Sequence, residues 1–279
     1  MSGFSAEWLA LREPSDHRAR NRALLSTLQA LFRARDALEV VDLGCGTGSN
    51  LRACAPFLPI RQRWRLVDHD PALLAEARDR LAAWAEAHER AGEGLCLTVG
   101  GRHIEVAFVR ADLSAGAEPL LDRGADLITA AALFDLVSRD WIERFAAAVA
   151  ARRAVFYTAL TYDGREEWRP PHPSDRVVFA AFHAHQGRDK GFGPAAGPRA
   201  SAALAKAFRA QRYVVEEAES PWRLGPKDRP LIRELARGIA AAARETGLVP
   251  EAELSAWREA RSSGASCLVG HTDLLARPA

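Results

Sequence analysis

The sequence predicts an α/β fold, one largely parallel sheet with helices on both faces. Three observations predict it. Short apolar runs of strand length alternate with amphipathic stretches of helical period along most of the 279 residues. The first of these strands runs straight into three closely spaced glycines and a helix. Hydrophobic residues make up 48% of the chain, enough for the core of a single domain spanning residues 1–279.

The elements follow in order. Ser15 and Asp16 are suited to cap a helix over residues 16–34, with Leu24, Leu28 and Leu31 on one face. Leu38 to Gly44 reads as a buried strand, followed by a helix over Ser49–Phe57. Trp64 to Asp70 is a second strand. Pro71 opens a helix with Leu74, Ala77, Leu81 and Trp84 on one side. Leu95 to Asp112 alternates in the strand manner on both sides of Gly100-Gly101, a dipeptide suited to a tight hairpin turn. Ala125 to Leu133 is a fourth core strand, then helix Asp140–Arg152 and strand Ala154–Leu160. After Tyr162 the pattern breaks. Asp163 to Arg176 reads as loop, Gly187 to Arg199 is rich in Gly and Pro, and the segment between them fits helix and strand equally. A helix over Ala200–Gln211, a strand from Tyr213, helices Asp228–Thr246 and Glu251–Arg261, and a last strand from Ser266 complete the chain.

Composition excludes several classes. The 38 basic and 36 acidic residues nearly cancel, at net +2, which argues against nucleic acid as a partner. Lysine occurs only at Lys190, Lys206 and Lys227, so arginine carries almost all positive charge. The four cysteines, Cys45, Cys54, Cys96 and Cys267, show no C-x-x-C spacing and fit a reducing, cytoplasmic setting. The N-terminus carries charges where a signal peptide needs an apolar run, and no uncharged run approaches the ~20 residues that span a bilayer.

The strongest local signal is Asp42-Leu43-Gly44-Cys45-Gly46-Thr47-Gly48 at a strand-to-helix turn. Glycines there allow a tight bend and close approach of a ligand to the backbone. Asp68 ends the next strand, 20 residues after Gly48, where a carboxylate can accept hydrogen bonds from ribose hydroxyls. A dinucleotide fingerprint counted from Gly44 would place its final small residue at Ser49 and fits poorly. The pattern D-x-G-x-G-x-G fits better. An anion at Asp42 is awkward beside a pyrophosphate but favourable beside the ammonium of an amino acid.

VVDLGCGTGSN resembles the first motif of the class I S-adenosylmethionine-dependent methyltransferases, and the match continues from Leu38 to about Leu136. The resemblance implies a Rossmann-like, mostly parallel seven-stranded sheet with an antiparallel last strand. N-terminal helices (residues 1–36) would form a lid, while segments 163–199 and 220–262 depart from the family pattern and read as insertions that cap the acceptor site. It implies S-adenosyl-L-methionine as cofactor. Asp42 would face the methionine ammonium, and Gly44, Cys45, Gly46 and Gly48 would pack under ribose and methionine. Asp68, with His69 beside it, would hold the ribose. Asp112 and Leu113 would read the adenine edge, and Ala130 would meet the amino acid portion. Arg12 or Arg20 in the lid would pair with the methionine carboxylate.

Methyl transfer from a sulfonium needs an oriented nucleophile and, for an oxygen or sulfur acceptor, a base. No metal is required. Ala130-Ala131-Ala132-Leu133 replaces the Pro-Pro motif of enzymes that methylate amino groups of adenine, cytosine or glutamine. No cysteine near strands four and five serves a cytosine-C5 mechanism. Candidates around the acceptor are Asp135, Tyr157, Tyr162 and Asp163, with His172, His183, His185 and Lys190 from the insertion. His183 and His185 alternate, and on a strand they would point the same way, as base and substrate ligand or as two metal ligands. They equally fit solvated loop histidines. Insertions placed to roof a compact pocket and a nearly neutral charge point to a small-molecule acceptor, methylated on O or N. An RNA or protein methyltransferase, and an inactive cofactor-binding partner subunit, are the alternatives.

Overall fold

A strand covered on both faces has no polar side, and Val40, Val41 and Leu43 meet that requirement by being buried together in the first strand. The computed structural model describes residues 4–122, 124–264 and 266–279. Among them run strands β1 (Ala37–Leu43), β2 (Arg61–Asp68), β3 (Ala87–Ala91), β4 (Gly94–Val99), β5 (Arg102–Arg110), β6 (Leu127–Ala131), β7 (Val155–Arg169), β8 (Tyr213–Glu219), β9 (Trp222–Leu224) and β10 (Ser266–Pro278). They form one sheet in the order β3-β4-β5-β2-β1-β6-β7-β10-β8, with β9 beside β10. Strands β5, β2, β1, β6 and β7 are parallel neighbours. β10 runs antiparallel between β7 and β8. The expected seven-stranded sheet with its reversed last strand is therefore present, and β3, β4 and β9 extend it. Of these, β4 is the inserted hairpin strand read from the sequence. Gly100 and Gly101 turn it into β5 with φ of +54° and +72°.

Helices α1 (Ala6–Ala19) and α2 (Arg22–Phe32) precede the sheet. They replace the single helix expected over residues 16–34. The break has a local cause. The Asn21 side chain accepts from Ala23 N and Leu24 N, and its own N–H donates to Asp273 Oδ2 at 2.9 Å. Ser15 and Asp16 consequently lie inside α1, whose cap is Ser5. The remaining helices are α3 (Ser49–Cys54), α4 (Pro71–Trp84), α5 (Glu118–Leu121), α6 (Arg139–Ala151), α7 (Asp175–Gln186), α8 (Ala200–Ala210), α9 (Arg229–Thr246) and α10 (Glu251–Ser262).

Two apolar cores cover the two faces. One gathers α2, α3 and α4 and continues into α7, α9 and α10. The other holds α5, α6 and α8 around Phe134, Phe145, Phe156 and Phe208. The undecided segment is helix α7, because Val178, Phe179, Ala181 and Phe182 reach the first core at helical spacing. β7 continues to Arg169 where a loop was expected. Trp168 is buried while Arg165, Glu167 and Arg169 face outward, an alternation that β10 pairs along its length. β3 was not foreseen. All five of its residues are exposed, and their charges blunt a sheet edge. Among the described residues no helix is long and apolar enough to cross a membrane.

Candidate functional site

β1 ends at Leu43, and the chain then turns through Gly44, Gly46 and Gly48 with φ of +65°, +52° and +78°. Residues with a Cβ rarely adopt these angles. A Cβ on Gly46 would also stand 3.0 Å from Leu9 Cδ1 of α1. The turn is tied to the end of β2. Cys45 N–H donates to the Val67 carbonyl at 2.9 Å, and Gly46 N–H donates to Asp68 Oδ2 at 2.9 Å. Asp70 N–H donates to Asp68 Oδ1 at 3.0 Å. Each carboxylate oxygen thus holds one backbone donor and retains a lone pair for another. His69 lies outward, with Nδ1 3.3 Å from Asp68 Oδ1.

Asp42 is fully buried beside this turn. Its Oδ1 accepts from Asn50 Nδ2 at 2.6 Å, and the same amide donates to Thr129 Oγ1 at 3.1 Å. Its Oδ2 is buried with no partner. Burial pushes its pKa up to about 7, against the pull of Asn50 and Arg20. Arg20, in the bend between α1 and α2, is also buried. Its Nη1 donates to Cys54 Sγ at 3.5 Å, and its Nε has no partner. Arg12 differs. It donates to Asp16 through Nε at 2.9 Å and Nη2 at 3.2 Å, and it stacks 5.0 Å over the Trp222 ring. Trp222 Nε1 donates to Asp16 Oδ1 at 3.0 Å.

α1 is seated on the turn by two contacts. Arg52 donates to both Glu13 oxygens at 2.7 Å. His17 Nε2 lies 3.2 Å from the Ser49 carbonyl and 3.0 Å from its hydroxyl. Beyond β5, Asp112 is exposed and its Oδ1 accepts from Ser114 N at 2.8 Å, capping a short turn. Leu113 is buried and its carbonyl accepts from Trp141 Nε1 at 2.8 Å. Ala130 is buried in β6 opposite Leu43.

The residues expected around an acceptor lie on or beside β6, β7, α7 and β10. Asp135 follows β6, and its Oδ1 is buried with no partner. Burial raises its pKa to about 6 while Arg12 opposes the shift. The Tyr162 hydroxyl donates to Glu166 Oε1 at 3.3 Å and lies 2.9 Å from His183 Nε2. Glu166 Oε2 accepts from Trp168 Nε1 at 2.8 Å, and burial lifts Glu166 to about 8. Burial also lowers the pKa of His183. His271 stands 6.2 Å from the Tyr162 ring and 5.0 Å from Trp222; burial drops it to about 3.

His185 lies two residues along a helix from His183 and so points elsewhere, correcting the shared direction that a strand would have given. Its Nε2 meets Glu245 Oε2 of α9 at 2.9 Å. His172 and Asp189 hold backbone N–H groups of their own loops. Asp175 pairs with Arg261, and Phe134 belongs to the aromatic core.

No family model and no curated protein matches the chain. Among solved structures, a cyclopropane-fatty-acyl-phospholipid synthase-like protein from Lactobacillus casei ATCC 334 matches with TM-score 0.54 at 16% identity, over 98% of this chain and 94% of that one. Cyclopropane synthase MmaA2 from Mycobacterium tuberculosis matches with TM-score 0.51 at 11% identity, over 98% and 95%. The chain has the class I methyltransferase fold.

Within that methyltransferase fold, four further residues hold the groups described above in place. Asn50 orients Asp42 from the first turn of α3, and only its distance from the glycines could have marked it. Asp273 on β10 accepts from Asn21 N, Tyr157 OH and Leu160 N. A lone carboxylate in the apolar run of the last strand was its one sequence signal. Glu166 and His271 gave none. Ala132, just after β6, and Leu160, within β7, hold φ of +52° and +60°, a strain of the kind that collects at sites.

Proposed function

We propose that the chain is an S-adenosylmethionine-dependent methyltransferase acting on a small-molecule acceptor. The unpartnered Asp42 Oδ2, buried beside a three-glycine turn, carries this reading. A buried carboxylate oxygen without a donor is costly, and the ammonium of an amino acid would supply the missing donor. Asp68 keeps lone pairs for ribose hydroxyls, and Asp112 stands at the adenine end. Arg20, with its free Nε near Asp42, suits the methionine carboxylate better than Arg12, which Asp16 already holds. Bound S-adenosylmethionine supplies a methyl group on sulfonium, already activated for displacement.

The protein's own part is orientation, exclusion of water and disposal of a proton. α1 covers the turn, and α7, α9 and α10 roof the acceptor side, which favours a compact acceptor over a polymer. Neutral His183, bonded to Tyr162, is placed to accept a proton that leaves the acceptor. Titration calorimetry is expected to show S-adenosylmethionine binding and no response to NAD; the reverse ranking would defeat the assignment. His183→Ala is expected to lower turnover about 100-fold with cofactor affinity unchanged. Full activity would remove His183 from the reaction.

A further inference from the structure

The acceptor side carries more negative than positive charge. Arg12 of α1 is the cation acting on Asp135, yet Asp16 already takes its guanidinium through two hydrogen bonds. Arg165 of β7 is likewise taken, by Asp163 and Glu219. The other titratable groups here, Glu166, His183 and His271, are driven toward their neutral forms by burial. The trio Arg12, Asp16 and Asp135 therefore sets two carboxyl groups against one guanidinium. Its unmatched atom is Asp135 Oδ1, buried and accepting nothing. His271 Nδ1 is a second buried atom without a partner, on the ring that faces Tyr162.

Resting on the methyltransferase reading above, we propose that the acceptor is an amine that enters as a cation, is held through its ammonium by Asp135, and is methylated on nitrogen. The chemistry of the alternatives disfavours them. A carboxylate, phenolate or thiolate would bring a second anion against Asp135, whose Oδ1 is buried from solvent. A neutral alcohol would leave the carboxylate uncompensated and would have to surrender a far less acidic proton than an ammonium does. An ammonium supplies both the missing donor and the missing charge.

The step balances. The ammonium loses one proton through Tyr162 to His183, and half-buried His183 passes it to solvent. The freed nitrogen lone pair forms the N–C bond to the methyl carbon as the C–S bond breaks and its electron pair stays on sulfur. The products are S-adenosylhomocysteine and an N-methylated ammonium, which carries the positive charge that sulfur loses. Asp135 thus faces a cation at entry and again at exit.

The test is to incubate the full chain with S-adenosylmethionine labelled with carbon-13 in the methyl group and a small-molecule extract of its native host, and to read the labelled carbon by NMR. The expected product carries the label on nitrogen and is retained by a cation exchanger. Label on oxygen, sulfur or carbon overturns the amine assignment and leaves the methyltransferase reading standing. Cofactor binding by calorimetry with no labelled product overturns both. Asp135→Asn is expected to bind S-adenosylmethionine within about twofold of the parent and to lose at least about tenfold of the N-methyl product. Parental turnover overturns the proposal, and so does a cofactor affinity that falls in step with turnover, because Asp135 would then serve the sulfonium.

Discussion

A fully buried carboxylate with one oxygen lacking a donor titrates late, and Asp42 does so at about 7 against an ordinary 3.8. Its folded value is raised. The stability it contributes is therefore fully present below about pH 4 and is lost as pH rises through about 7. The ligand-free protein is expected to melt at progressively lower temperature across that window. On the proposed function, cofactor binding is expected to have the opposite slope, because an ammonium needs the ionised carboxylate. Affinity for S-adenosylmethionine should climb about tenfold per pH unit below 7 and level off above it. Calorimetry across this range checks the slope, and Asp42→Asn should flatten it. At Gly46, Ala would combine a left-handed φ with contact on Leu9, and should cost about 1–2 kcal/mol in urea denaturation. These positions were legible in the sequence because the turn is local: Asp42, three glycines and Asp68 fall within one βαβ unit. Asp273, Glu166 and His271 were not. Tyr157 and Asp273, for example, meet across 116 residues of chain, and no local pattern announces such a pairing.

At the scale of elements, α1 is more than a loose cover. Its Glu13 binds Arg52 through both oxygens, and Arg52 is itself mostly buried. Glu13→Ala would strand that guanidinium and is expected to cost about 2 kcal/mol and to weaken cofactor binding. Urea titration with and without S-adenosylmethionine separates the two effects. Helical period identified α4, α6, α8, α9 and α10 from sequence, because each presents one apolar stripe. α7 resisted because VVFAAFHAHQ is apolar on adjacent positions, and only its packing on α9 and α10 selects helix. The long second half of β7 was hidden by charge. Its outward residues are polar, and its inward ones, Tyr162, Glu166 and Trp168, do not form an apolar strand pattern.

Across the whole molecule, the helices of the two inserted segments are continuous with the body. The helices α7, α9 and α10 share one core with α2, α3 and α4. Arg261, buried on α10, donates to both oxygens of Asp175 and to the Pro170 carbonyl, between the rings of Trp168 and Trp257. Asp175→Ala leaves that charge unpaired and is expected to cost about 3 kcal/mol. Denaturation followed by circular dichroism and by tryptophan fluorescence should give one coincident transition in parent and variant alike. The largely parallel character of the sheet was legible because strands alternate with helices along the chain. The place of β10 was legible only through family resemblance, since nothing within the strand says that it runs backwards.

That place orders the assembly of the molecule. β10 lies between β7 and β8, so during synthesis both neighbours emerge with bare facing edges, and the strand that joins them arrives last. Asp273 arrives with it and in one event ties the bend before α2, the Tyr157 hydroxyl and the backbone of Leu160. A nascent chain halted short of residue 266 would already own its glycine bend, yet the wall opposite would still be unfastened.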